Sequence, residues 1–301
     1  MSEAAAPRNR ASPLSVLRSR RPPVCLGALM SHRAPDFDAY FARIGYAGPR
    51  DASLLTLSAL QARHARAIPF ENLDVLLGRG ISLDLAAVEQ KLVQQKLGGY
   101  CFEHNTLLAA VLRALGFRVT TLLARVRWQV PAGVTLPQTH MVLRVDLDGR
   151  PWLADAGFGG VGLTAPIALD TEAEQGDPSE LRRLVPQGRH LLHQVRLGGE
   201  WMDVYLFTLD EAQPIDFEVA NWFTSTHPNS RFRQNLVAAL AGTDRRFTVM
   251  NREFTIRHLD GRVEKRPIES PADLLAILAE YFGLHFPAGT RFDAPNLAWP
   301  S

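Results

Sequence analysis

The chain has 301 residues, 46% of them apolar, and its 33 lysines and arginines nearly balance 31 acidic residues, for a formal charge of +2. That length and apolar content suit two or three packed parts around a sizeable core, and the near-neutral charge, with no long basic run interleaved with aromatics, argues against nucleic acid as a partner. Two cysteines are too few for a disulfide framework and no apolar run reaches the length of a membrane span or signal core, so no membrane association is expected and a reducing cytoplasm is the expected compartment.

Residues 1–35 hold six arginines and one glutamate among scattered prolines and serines. This composition predicts a disordered tail. An organelle transit peptide is the other reading, but Pro13, Pro22 and Pro23 interrupt any helix it would form, and Met30 offers an alternative start. Cys25 falls in this tail, so Cys101 is the only thiol expected in the folded part.

From Asp36 the pattern is helical. FDAYFARIGY and SLLTLSALQARHARAI carry apolar residues at helical spacing, the second capped by Ser53 or Asp51 and ended by Pro69. IPFENLDVLLGRG reads as a loop. Asp84 is placed to cap LAAVEQKLVQQK, Gly98 and Gly99 stop that helix, and CFEHNTLLAAVLRALG starts another, with an apolar stripe through Leu107, Leu108, Val111, Leu112 and Leu115. The period then changes to two in FRVTTLLARVRW, THMVLRVDLDGRPWLADAG, LLHQVRLGGEWMDVYLF and RRFTVMNREFTIRHLDGRVEKRPI, with hairpin turns at Asp148-Gly149, Gly198-Gly199 and Asp260-Gly261. The acidic TEAEQGDPSE reads as a surface loop. Ser270-Pro271 opens a last helix, ADLLAILAEYF, which Gly283 ends.

The stretch LGGYCFEHN at 97–105 raises a chemical question. Two glycines permit positive φ and a sharp entry, so Cys101 is expected at a helix N-terminus, where free N–H groups and the dipole favour a thiolate. A lone cysteine is otherwise an ordinary small buried hydrophobe. A reactive one needs a base, and the base an orienting carboxylate. Strand register selects these among nine histidines. A two-residue turn at Asp148-Gly149 pairs Leu147 with Arg150 and sets Val142 opposite Asp155, so His140, two residues earlier, shares a sheet face with Asp155 diagonally across the pair. The Gly157–Gly160 cluster that follows leaves room for close backbone approach.

IPFENLD, GGYCFEHN, THMVL, DAGFG and FTSTHPNSRF, in that order, resemble the arylamine N-acetyltransferases over residues 36–300. The resemblance implies a cysteine-protease-like arrangement with Cys101 as nucleophile, His140 as base and Asp155 as orienting carboxylate. It implies an α/β (α+β) architecture: a helical bundle (36–116) carrying the cysteine, an antiparallel β-barrel (117–222) carrying His140 and Asp155, and a C-terminal α/β lid (223–301). It also implies acetyl-CoA as donor, a small aromatic amine, hydrazine or hydroxylamine as acceptor, and ping-pong transfer through an acetyl-cysteine. Phe70, Phe158 and Phe232 would line the acceptor pocket, with Leu123 a further candidate, and Ser225, Thr226 and His227 are candidates for contacting coenzyme phosphates. A thiol hydrolase or transglutaminase-like amidase using the same three residues is the alternative enzyme, and a silent ligand-binding relative the alternative outside catalysis. GFGGVG lacks the βαβ context of a dinucleotide loop, and the Cys101/His104 spacing lacks the second ligand pair of a zinc site, so no metal is expected. Monomer and homo-oligomer stay open. One departure stands out: the family pattern has arginine before Gly-Gly, pairing with the glutamate of PFEN, whereas this chain has Leu97. Glu71 is then expected to face solvent, to take hydrogen bonds from the loop backbone or, the preferred reading, to take a substitute cation such as Lys96 or Arg66.

Overall fold

The computed structural model describes Met1, residues 34–131 and residues 133–299, so the tail expected over residues 1–35 lies almost wholly outside the described residues. Helix α1, Phe37–Ile44, starts where the Asp36 carboxylate accepts the Ala39 N–H and stops at Gly45, in the left-handed region at φ 62°. Ser53, not Asp51, caps α2, Leu54–Ala67. The next segment is more ordered than its sequence suggests: Phe70–Glu71 forms a short strand, β1, and Leu73–Leu76 one helical turn, α3. Asp84 caps α4, Leu85–Glu89, through the N–H groups of Ala86 and Ala87, and the helix continues as a π turn over Gln90–Gln94. Helix α5, Cys101–Ala114, begins at the cysteine itself and buries Leu107, Leu108, Val111 and Leu112 against the other helices.

Seven antiparallel strands follow: β2, Arg118–Val126; β3, Gln138–Leu147; β4, Arg150–Ala154; β5, Ile167–Ala168; β6, Arg182–Gln187; β7, His190–Leu197; and β8, Glu200–Phe207. Their order is β5-β4-β3-β2-β8-β7-β6. The sequence pattern did not mark β6, whose Pro186 breaks the strand signal and is tolerated because β6 is an edge. At the Asp148-Gly149 turn both residues have positive φ, 52° and 77°, and Leu147 pairs with Arg150. Gln175 bridges the two edges of the sheet, which curls into a nearly closed barrel. Gln175 exchanges both backbone hydrogen bonds with Arg182 of β6, while its side-chain amide accepts from Ala168 N–H and donates to Ala168 C=O on β5. The barrel interior packs Leu122, Val142, Leu153, Val195 and Tyr205.

The C-terminal part comprises α6, Pro214–Thr226; α7, Arg231–Gln234; strands β9, Val237–Ala241, β10, Arg245–Met250, β11, Glu253–His258, and β12, Val263–Pro267; and α8, Pro271–Phe282, capped by Ser270 and ended by Gly283 at φ 65°. Its sheet has the order β1-β9-β10-β11-β12, so Phe70 and Glu71 leave the helical part to pair with Ala239 and Ala238. Position 222/223, expected to separate two parts, lies inside α6. Helix α6 was hidden in the sequence because Ile215, Val219 and Trp222 face outward while Phe217, Ala220, Asn221 and Thr224 face in, which erases the amphipathic contrast. Glu180, preceding β6, accepts from Arg246 of β10 in a buried ion pair that joins barrel and C-terminal sheet. Among the described residues no helix is long and apolar enough to cross a membrane.

Candidate active site

Cys101 occupies the first turn of α5, 3% exposed. The two glycines before it serve a different purpose from the one expected. Neither has positive φ; the left-handed residue of this loop is Lys96, at φ 57°. Their requirement is space, since a Cβ on Gly98 would lie 2.3 Å from the Pro69 carbonyl oxygen and one on Gly99 2.7 Å from a Glu103 carboxylate oxygen. The loop packs against β1, where Glu71 N–H donates to Gly99 C=O at 2.7 Å.

The β3–β4 ladder runs from Leu147↔Arg150 to Leu143↔Ala154, so the same register sets Val142 opposite Asp155 and His140 diagonal to it. His140 Nε2 donates to Asp155 Oδ2 at 2.8 Å, with the imidazole 2% and the carboxylate 0% exposed. That leaves Nδ1 free of Asp155; Cys101 is close enough to the ring to act on its protonation, and its thiol points at Thr139 C=O, 3.5 Å away. Burial works against a charged imidazole, but the Asp155 charge and hydrogen bond, joined by Cys101, outweigh it and push His140 up to about 10. Asp155 shows the mirror image: burial alone would raise it, while His140, Asn105 and Gly157 hold it below its ordinary value. Phe158 and Tyr205 pack on the His140 ring at centroid distances of 5.1 and 4.9 Å.

Asn105, one helical turn after Cys101, is the site residue that sequence reasoning missed. Its amide donates to Asp155 Oδ1 at 2.9 Å and to Met141 C=O at 2.7 Å, and its oxygen accepts from Ala156 N–H at 3.1 Å. It therefore locks the cysteine helix to the strands bearing the other two residues. The available signal was its i+4 spacing from Cys101, which puts both on one helix face. Gly157 completes the contact, because a Cβ there would come within 2.7 Å of the Cys101 Cα.

Cys101 and His140 open onto a cleft of about 790 Å³, walled by Phe70, Phe158 and Phe232 and extending past Thr248 to Arg257 and Lys265 of the C-terminal sheet. The other candidates lie off it. Leu123 stands opposite Met141 on β2 and packs against the helical core. Ser225 donates back to Asn221 C=O within α6, His227 ends that helix stacked on Phe223 at 4.6 Å, and neither they nor Thr226 line the cleft; their neighbours Thr224, Asn229 and Ser230 do. Among the described residues no group of three His, Cys, Asp or Glu side chains is arranged to hold a metal ion.

Neither Lys96 nor Arg66 forms an ion pair with Glu71; the cation whose charge acts on it, without a direct ion pair, is Lys91. It comes from the π turn, where one extra residue per turn aims it inward, and its ammonium bridges Asp74 at 2.9 Å and Glu103 at 2.8 Å. Leu97, at the arginine's position, packs instead into the C-terminal apolar cluster. Glu71 is 3% exposed and accepts from Leu73 N–H. Burial dominates its protonation and, despite the pull of Lys91, pushes it up to about 7, with Glu103 and Asp74 adding to the rise.

A family model described as N-acetyltransferase matches residues 53–290. The arylamine N-acetyltransferase of Escherichia coli K12 is 41% identical over 251 residues, covering 83% of this chain and 89% of that protein. Among solved structures, the arylamine N-acetyltransferase of Mycobacterium tuberculosis superposes with a TM-score of 0.80 at 40% identity, covering 82% of this chain and 93% of that one. That of Mycobacterium marinum, in complex with CoA, gives the same TM-score and identity over 82% and 92% of the two chains.

Proposed function

The chain belongs to the arylamine N-acetyltransferase family, and on that premise we propose that it transfers the acetyl group of acetyl-CoA to a small aromatic amine, hydrazine or hydroxylamine through an acetyl-Cys101 intermediate. The observation that carries this reading is the buried Cys101, His140 and Asp155 constellation at the floor of an aromatic-walled cleft. The donor's shape and charge suit the site: the cleft is long, and Arg257 and Lys265 on its far wall offer cations to an anionic coenzyme.

In the first half-reaction Cys101 Sγ attacks the acetyl carbonyl carbon. The carbon–sulfur bond to the coenzyme breaks, His140 gives its proton to the departing thiolate, and the acetyl group remains on Cys101. One thioester has replaced another, so the step is nearly isoenergetic. In the second half-reaction the acceptor nitrogen, or the oxygen of a hydroxylamine, attacks acetyl-Cys101 and His140 accepts its proton, restoring the thiolate and imidazolium. Asp155 holds the imidazole in one orientation through both halves. Phe70, Phe158 and Phe232 keep water from the thioester, which biases the intermediate toward transfer. In this scheme the segment 36–116 supplies the nucleophile, 117–222 the base and its partner, and 223–301 the cleft's far wall.

Intact-mass analysis after mixing the protein with acetyl-CoA alone tests the proposal. One retained acetyl group, mapped by peptide analysis to Cys101 and abolished together with turnover by Cys101→Ser, is expected. Coenzyme release without a retained acetyl would indicate a hydrolase, and no reaction a silent binding protein.

A further inference from the structure

Behind the nucleophile loop lies a chain of buried polar side chains that the transfer chemistry does not use. Tyr40 of α1, His64 of α2 and His104 of α5 are each 0% exposed. Tyr40 Oη lies 2.9 Å from His64 Nδ1, and His64 Nε2 lies 2.9 Å from His104 Nδ1. His104 Nε2 faces two carbonyl oxygens, Pro69 at 3.2 Å and Gly99 at 3.1 Å. The direction of this chain follows from its end. Carbonyls only accept, so His104 Nε2 must carry a hydrogen; in a neutral ring Nδ1 then accepts, so His64 Nε2 donates, His64 Nδ1 accepts, and the Tyr40 hydroxyl donates. Three helices thus supply a one-way series of donors ending on the loop that presents Cys101.

The two carbonyls are hinges of that loop. Pro69 C=O also accepts from Gly99 N–H at 3.2 Å, and Gly99 C=O from Glu71 N–H at 2.7 Å, which makes Phe70 and Gly99 a bridge pair. Gly99 stands two residues before Cys101. Phe70, whose ring stacks on His104 at 6.3 Å, is a wall of the cleft. One imidazole therefore sets both the entry into the cysteine helix and the position of an aromatic wall. We infer that His104 is a positioning residue for Cys101, fixed as its Nε2–H tautomer by the Tyr40–His64 chain and aiming the thiol at His140 by holding the Pro69 and Gly99 carbonyls. Burial dominates the protonation of both rings: it pushes His104 down to about 4, with Lys91 acting in the same direction and the Pro69 and Gly99 hydrogen bonds and the Asp155 charge opposing, and it holds His64 well down together with His104 and Arg43.

The inference rests on the proposed role of Cys101, so its test has one arm independent of acetyl transfer. In the full chain labelled with ¹⁵N-histidine, both rings are expected to show the neutral Nε2–H signature unchanged from about pH 5.5 to 8.5; a ring that charges in this range, or His104 as the Nδ1–H tautomer, would overturn the proposal. In the second arm His104→Gln, which keeps one donor and one acceptor, is compared with His104→Leu, which keeps bulk alone. The glutamine variant should form acetyl-Cys101 within about threefold of the wild-type rate, and the leucine variant about 30-fold or more slower with KM for acetyl-CoA little changed, since a misplacement of about 1 Å costs on the order of 100-fold. Equal losses in the two variants, or none in the leucine variant, would refute positioning; if the leucine variant does not fold, the glutamine rate and the wild-type spectra decide. Iodoacetamide alkylation of Cys101 should follow the same ranking. If the wild type takes up no acetyl group, the functional reading fails while alkylation and spectra still judge His104.

Discussion

Glu71→Gln isolates the electrostatics of the loop brace. Glu71 is held at about 7 in the folded protein against an ordinary 4.5, chiefly because it is buried, and Lys91 already shares its charge with Asp74 and Glu103. A carboxyl raised on folding takes up a proton, so its favourable contribution is complete below pH 4.5 and is lost as the pH climbs through 7. The gap between those values, at about 1.36 kcal/mol per pH unit, corresponds to a total of about 3 kcal/mol, of which about 2.5 kcal/mol disappears between pH 5 and pH 8. Glutamine keeps an oxygen for the Leu73 N–H but carries no charge to lose. Urea unfolding of both proteins at pH 5 and pH 8 should therefore show the wild type losing about 2.5 kcal/mol more than the variant across that interval. Every other titrating group is common to the two proteins and cancels to first order. Parallel losses would refute the reasoning and mean that Lys91 neutralises Glu71 fully, leaving it ionised throughout.

His140→Gln and Asp155→Asn should each slow iodoacetamide alkylation of Cys101 at pH 7 by about tenfold or more, since the first removes the imidazolium beside the thiol and the second removes the charge that raises it; rates matching the wild type would contradict the assigned roles. Because the folded value of His140 is about 10 against an ordinary 6.5, its contribution to stability is complete below pH 6.5 and lost as pH rises through 10, so His140→Gln should show less alkaline destabilisation than the wild type in thermal melts between those limits. Gly157→Ala forces a Cβ against the Cys101 backbone and should cost roughly 1–3 kcal/mol in chemical denaturation together with most of the acetylation rate, and a variant of native stability and rate would show that α5 can retreat freely.

Much of the triad's geometry was legible because short-range rules determine it. A two-residue turn at Asp148-Gly149 sets the register of β3 and β4, and register alone puts His140 and Asp155 on one face. The caps Asp84 and Ser270 and the stop at Gly283 were visible for the same reason, each being settled within a few residues, and the α2 cap was narrowed to Ser53 or Asp51. What stayed hidden depends on partners distant in sequence. Phe70–Glu71 is a strand because β9 lies beside it, and α6 turns its small and polar residues inward because neighbouring elements supply the apolar contacts. Lys91 was missed because ordinary helical counting does not anticipate a π turn, which shifts every later side chain around the axis. The aromatic walls show the same division: Phe158 sits beside the triad in sequence and in space, while Phe232 reaches the cleft only through the packing of the C-terminal part.

Gln175 gives the barrel an unusual point of vulnerability. Its carboxamide offers one donor and one acceptor, the same pair a peptide unit would present, and with them it stands in for a missing strand between Ala168 and Arg182. Strand edges invite recruitment of foreign strands, and proteins ordinarily guard them with charge, proline or a covering element. Here the guard on that side is one neutral amide. A residue without it at this position would leave the Ala168 N–H and C=O unpaired on the β5 border, while the backbone bonds to Arg182 and the proline at 186 still guard the β6 border. Closure of the barrel at β5 thus rests on one side-chain amide, outside the cleft onto which Cys101 and His140 open.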